Sequence, residues 1–145
     1  MEKLEKVIFY TLDKAIKTYR QFAQRRFTEN GLDITIDQWL VLNAIADNPE
    51  ISQLEIADQV FKDAASVTRI IDLLIKKNYL EREAHDQDRR RFKLQLTKEG
   101  KDLLKSLQKI VNQNRAIALE GIDDENLKLT RETLLTIIDN CQKSE

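Results

Sequence analysis

Residues 85–100 read HDQDRRRFKLQLTKEG. Three consecutive arginines, Arg89, Arg90 and Arg91, follow two acids, Asp86 and Asp88, and run into an alternating apolar series at Phe92, Leu94 and Leu96. Adjacent guanidinium groups repel one another unless an anion lies between them. Asp86 and Asp88 can offset and orient part of that charge, and a phosphate backbone or a narrow minor groove would supply the rest. The alternation is that of a strand with one buried face, so Leu94 and Leu96 turn inward while Lys93 and Gln95 face solvent. The arginines then sit at the tip of a hairpin held away from the body. There they either reach a polyanion or form a solvated turn.

A second group lies upstream, in AASVTRIIDLLIKKN. On a helix turning about 100° per residue, Val67, Ile70, Ile71 and Leu74 gather on one side, with Ile75 at its edge. Lys62, Ala65, Ser66, Arg69, Leu73 and Lys76 point broadly the other way. The outward N-terminal half thus carries small residues and one arginine. Small residues let a helix sit deep in a groove, and arginine pairs bidentately with guanine. The same pattern also describes an ordinary amphipathic helix with a polar back.

These residues need elements to place them. Thr35 with Gln38, and Ser52 with Glu55, each read as a capping box, in which side chain and backbone satisfy two orphan N–H donors reciprocally. Ile34 and Trp39 flank the first box and Ile51 and Ile56 the second, as hydrophobic staples. One helix should run from Thr35 and stop before DNPE, where Pro49 disfavours helix at Asn48, and a short one over SQLEIADQV. Phe61 and Lys62 form a tight connection to Asp63, the expected N-cap of the next helix, which Asn78 ends in a left-handed conformation. Strands are expected over 79–85 and 91–97. Thr97 then caps a long helix carrying Leu103, Leu104, Leu107, Ile110, Val111 and Ile117. Gly121 breaks it, and Asp123 caps a last helix with Leu127, Leu134, Ile138 and Cys141 on one face. At the other end, apolar residues keep helical spacing over residues 4–27, through Leu4, Val7, Ile8, Leu12, Ile16 and Phe27, until Asn30-Gly31.

The composition narrows the function classes. A length of 145 residues fits one domain, and 41% hydrophobic residues permit a core. Only three Gly and one Pro favour long helices over a many-turned β fold. A net charge of −1 opposes a nonspecific nucleic-acid coat, yet the charge is uneven. Residues 76–101 hold nine Lys/Arg against five Asp/Glu, and residues 120–145 hold three against seven. No run approaches the ~18 apolar residues of a membrane span. The apolar cluster Val7–Tyr10 is short and followed by Asp13 and Lys14, so no secretory leader is read; with a single cysteine, a cytoplasmic location is expected.

His85 is the only histidine and has no partners at ligand spacing, so neither metal nor cofactor is expected. Cys141 shares an apolar stripe with Leu134 and Ile138 and has no obvious neighbouring cation, which favours packing over redox sensing. Trp39, Tyr10, Tyr19 and Phe22 are read as core and dimer contacts in preference to an effector pocket. No Gly-rich phosphate loop and no nucleophile with a base appears, so no enzyme is expected.

The segment DQDRRRFKLQLTKEGKDLL resembles the wing of the MarR family (multiple-antibiotic-resistance regulators), with Asp88, Arg90, Leu96, Thr97 and Gly100 matching its pattern. SVTRIIDLLIKKNYLER is similar to that family's recognition helix and first wing strand, at Thr68, Arg69, Asp72, Leu74 and Arg82. Asn78 departs from the usual glycine but can fill the same helix-ending role. The resemblance implies a homodimeric, ligand-responsive regulator, typically a repressor, binding a pseudo-palindromic operator. Its effectors would be small phenolic or lipophilic molecules, or oxidants.

The expected fold is mainly α with a small β wing, one domain over residues 1–145. A winged helix-turn-helix at 32–100 is flanked by dimerisation helices at 1–30 and 101–145. The residues expected to meet double-stranded DNA are Ser52, Gln53, Lys62, Ala65, Ser66, Thr68, Arg69, Asp88, Arg89, Arg90 and Arg91. Leu4, Val7, Ile8, Leu12, Leu127, Leu134, Ile138 and Cys141 are expected at a homodimer interface, because the terminal helices carry more apolar stripe than so small a unit can cover. The alternative is a winged-helix module that contacts an acidic protein without reading DNA.

Overall fold

The computed structural model of the chain describes residues 1–84 and 92–144. The chain forms two compact units, Met1–Asn114 and Arg115–Glu145.

The first unit opens on one 3₁₀ turn, Leu4–Lys6, closed by the Val7 N–H donating to the Leu4 carbonyl at 2.9 Å. The helix expected from residue 4 therefore starts later. Val7 is extended (φ −84°, ψ 116°), and α1 runs over Ile8–Glu29. A β-branched valine favours extended backbone, and no side chain there caps the free N–H groups. Asn30, followed by Gly31 at φ +73°, ends α1.

Three helices follow: α2 over Ile36–Asp47, α3 over Gln53–Val60 and α4 over Ala64–Lys76. Both capping boxes form. The Gln38 N–H donates to Thr35 Oγ1 and the Thr35 N–H to Gln38 Oε1, each at 3.1 Å. The Glu55 N–H donates to Ser52 Oγ at 3.2 Å and the Ser52 N–H to Glu55 Oε1 at 3.4 Å. Each N-cap contributes about 1 kcal/mol of helix stability. Asn78 ends the segment after α4 at φ 66°, as its residue type suggests.

Strands β1 (Leu80–Ala84) and β2 (Phe92–Leu96) pair antiparallel, with Leu80 opposite Leu96 and Arg82 opposite Leu94. The expected strand ends at residues 85 and 91 lie outside the described residues. Helix α5 (Lys98–Ala118) begins at Thr97, whose Oγ1 accepts from the Gly100 N–H at 3.0 Å.

One core holds the first unit together. Phe27 of α1, Leu42 and Ile45 of α2, Ile56 of α3, Ile71 and Leu74 of α4, Leu80 of β1 and Leu107 of α5 are all at most 1% exposed. Burial of such a side chain contributes roughly 1.5–3 kcal/mol. Trp39, half-buried, meets the Phe27 ring edge-on with centroids 6.4 Å apart. Tyr19 and Phe22 are half-buried and tilted at 6.3 Å, but Tyr10 is exposed in the single chain. Asn114 is fully buried, and its Oδ1 accepts from Arg26 Nε at 3.0 Å, joining α5 to α1.

The second unit contains the last turn of α5 and helix α6 (Asp124–Lys143). Gly121 sits at φ +82° in the break, and Asp123 caps α6 by accepting from the Asn126 N–H at 2.7 Å. Leu127, Leu129, Leu135 and Ile138 of α6 are exposed and Leu134 is half-buried. Cys141 is also exposed, so the packing expected for it is not met within the single chain. Among the described residues, no helix is long and apolar enough to cross a membrane.

Candidate nucleic-acid interface

Helices α3 and α4 are joined by a turn at Phe61, whose backbone is left-handed (φ 59°, ψ 42°) and whose side chain is 91% exposed. That turn sets the N-terminus of α4. Asp63 caps it, its carboxylate accepting from the Ser66 N–H at 2.7 Å and the Ser66 hydroxyl at 3.0 Å. These two bonds, from backbone and then side chain, hold the Asp63 carboxyl below the usual carboxylate range, and the charge of Arg69 adds to the effect. Arg69 Nη2 in turn donates to Ser66 Oγ at 3.0 Å. Asp63, Ser66 and Arg69 are thus one chain of hydrogen bonds that orients the guanidinium on the outer face of α4.

The helical wheel holds. Val67, Ile71 and Leu74 are buried, Ile70 and Ile75 half-buried, and Ala65, Thr68, Arg69, Leu73 and Lys76 exposed. Thr68 Oγ1 donates to the Ala64 carbonyl at 3.0 Å and lies 3.4 Å from Gln53 Oε1, so the start of α3 stands beside the outer face of α4. Ser52 is committed to its capping box.

Lys62 stands apart from this group. Its ammonium is 3.1 Å from Asp37 on α2, which also accepts from Arg20 Nη2 at 2.5 Å. Burial would raise the Asp37 pKa, but hydrogen bonds from Lys62 and Arg20 outweigh it and hold the carboxyl below its usual value. A phosphate met by Lys62 would share a charge already paired with Asp37. The wheel did not reveal this, because Asp37 lies twenty-five residues upstream.

Among the described residues, two ion pairs tie the wing to the elements beside it. Arg82 on β1 donates to Asp72 of α4 at 2.7 Å, and Lys93 on β2 lies 3.2 Å from Glu50, in the connection between α2 and α3. Leu94 and Leu96 are buried and Gln95 is exposed, as the alternation requires. Lys93, expected in solvent, is half-buried and paired with Glu50. His85, Asp86, Asp88, Arg89, Arg90 and Arg91 lie outside the described residues. Among the described residues, no group of three His, Cys, Asp or Glu could hold a metal ion.

Two capped helices joined by a tight turn, the second with an exposed face carrying an oriented arginine, followed by a two-stranded hairpin, define a winged helix-turn-helix of the DNA-binding class. A family model described as "MarR family" matches residues 31–91. Over those residues the chain is of the MarR family.

The chain is also similar to solved structures. A protein of unknown function from Listeria innocua Clip11262 is 32% identical, with 92% of this chain and 91% of that one covered and a TM-score of 0.71. The transcriptional regulator PA3341 is 27% identical over 94% of this chain and 99% of its own, with a TM-score of 0.83. Bordetella bronchiseptica BpsR, whose DNA binding is regulated by 6-hydroxynicotinic acid, shares the fold at 19% identity, covering 96% and 98%, with a TM-score of 0.84.

Proposed function

We propose that the chain binds a pseudo-palindromic DNA operator as a homodimer, acts as a repressor, and changes its DNA affinity on binding a small molecule. The carrying observation is the Asp63–Ser66–Arg69 chain. It holds a guanidinium on the exposed, small-residue face of α4, beside a wing anchored to α4 through Arg82 and Asp72. In this reading α4 enters the major groove, where Arg69 reads a guanine, with Ala65, Ser66 and Thr68 alongside. Ser52, Gln53 and Lys62 contact the flanking phosphates. Arg90 grips the minor groove or its phosphates, oriented by Asp88 and supported by Arg89 and Arg91.

Dimerisation is supported by apolar side chains left in solvent. Leu4 is 64% and Ile8 59% exposed in the first unit, beside half-buried Val7 and Leu12, and Ile138 is 50% exposed in the second, with Leu127 and Cys141 exposed too. A two-fold partner would cover such patches. A regulatory small molecule is the reading that the behaviour of BpsR supports.

The test is selection of bound sites from a random DNA pool by the full chain at stated salt, with sedimentation equilibrium at micromolar concentration. The expected result is a dimer that enriches a two-fold related sequence. A monomer, or a pool without enrichment, contradicts the reading.

A further inference from the structure

Among the described residues, Met1 apart, the two most exposed large apolar side chains are Phe61 at 91% and Leu54 at 74%. Both belong to α3, Leu54 in its first turn and Phe61 at its C-terminal end, with exposed Asp58 between them at helical spacing. No ion pair among the described residues engages Asp58. Phe61 also holds left-handed backbone, a conformation that persists in a non-glycine residue mostly where function uses it. An acid between two bare apolar side chains repels a phosphate backbone. What suits this face is a protein surface that is apolar and basic.

The chain carries such a surface itself. A groove of about 720 Å³ opens between the C-terminal end of α2, strand β2 and the first half of α5. Its floor is apolar: Ile45, Leu94 and Leu96 are buried and Leu104 is half-buried. Lys93, Lys101 and Lys105 line it and no carboxylate does. No ion pair among the described residues engages Lys101 or Lys105. Phe61 does not stand beside this groove. Lys62, the next residue, is pinned to Asp37 in the first turn of α2, whereas the groove takes Asn43, Ile45 and Ala46 from the other end, roughly 10 Å along the axis.

We infer that the ring of Phe61 inserts into the groove of a second copy of this chain, with Asp58 meeting the neighbour's Lys101 and Lys105 and Leu54 covering the edge. Two different patches meet, so the contact is heterologous and repeats into a row instead of closing. One ring, one leucine and one acid bury far less than the roughly 1,200 Å² of a stable interface. The row is therefore weak in free solution and forms where one duplex holds copies side by side. That setting rests on the DNA binding proposed above; the contact itself is separate from the apolar faces of the terminal helices.

Sedimentation velocity of the full-length protein without DNA, at low salt and from micromolar to near-millimolar concentration, tests the contact. The wild-type sedimentation coefficient should climb with concentration. Phe61→Asn removes the ring and keeps a residue that tolerates left-handed backbone. Lys101→Glu/Lys105→Glu reverses the rim at two exposed positions. Each variant, folded by circular dichroism, should hold its micromolar coefficient throughout. An equal mixture of the two should climb again, because the intact groove of the first receives the ring of the second. A wild type that does not climb overturns the proposal and leaves both surfaces to other proteins. So does a climb kept by either variant, or a mixture that fails to recover, which would mean ring-to-ring contact.

On duplexes with one or two copies of the operator selected by the wild type, the second site should fill about tenfold more tightly than a lone site at the best spacing. Either variant alone should lose this gain. Equal affinity at every spacing overturns the row on DNA. A wild type that selects no operator sinks the DNA reading, while sedimentation still decides the contact.

Discussion

Arg82 Nη2 donates to Asp72 Oδ1 at 2.7 Å, fastening the first wing strand to the middle of α4. Both side chains are partly exposed, so the pair contributes little to stability, on the order of 0.2–1 kcal/mol. Its consequence is geometric, because the angle between wing and α4 decides whether both reach one duplex. Asp72→Ala and Arg82→Ala should each lower DNA affinity, and the double variant should lose less than the sum of the two. The sign for Asp72→Ala is diagnostic. Removing a negative charge near DNA should tighten binding if electrostatics alone acted, and weaken it if Asp72 positions Arg82. Fluorescence anisotropy on the selected operator measures both.

Gly100 illustrates a position whose residue is legible and whose reason is not. A Cβ at Gly100 would lie 2.1 Å from the carbonyl oxygen of Tyr79, which also accepts from the Thr97 N–H at 3.1 Å. The clash is with backbone, so the start of α5 must move away from the strand entry. Gly100→Ala should destabilise the protein by about 1–3 kcal/mol, as overpacking does. Urea unfolding should show a lower midpoint at unchanged slope.

Phe61 is the converse case. Left-handed backbone costs a non-glycine residue roughly 1–2 kcal/mol, and an almost fully exposed ring recovers little by packing. Phe61→Gly should therefore stabilise the fold by about 0.5–1 kcal/mol, net of the extra freedom glycine gains when unfolded. A lower thermal midpoint for Phe61→Gly would show that the ring holds the turn.

Much of this fold is written locally. Thr35, Ser52, Asp63, Thr97 and Asp123 each announce a helix start because a cap depends on residues three positions apart, and all five cap as their types require. The buried face of α4 and the inward turn of Leu94 and Leu96 follow from period alone. Contacts between distant residues carry no such signal. The pairing of Lys62 with Asp37, of Lys93 with Glu50, and the approach of Gly100 to Tyr79 depend on how elements pack. Val7 misled for a related reason: its helical spacing is real, but an extended valine without a cap separates the first turn from α1.

Reading of DNA by α4 is tested most directly by Arg69→Ala, assayed by anisotropy on the operator selected by the wild type and on random duplex at the same salt. Arg69 is exposed, so the substitution leaves the core intact. The predicted result is a loss of roughly 1–3 kcal/mol on the operator and a much smaller loss on random DNA, the signature of a base contact. An equal loss on both duplexes would reduce Arg69 to a phosphate contact, and no loss on either would contradict the placement of α4 in the groove.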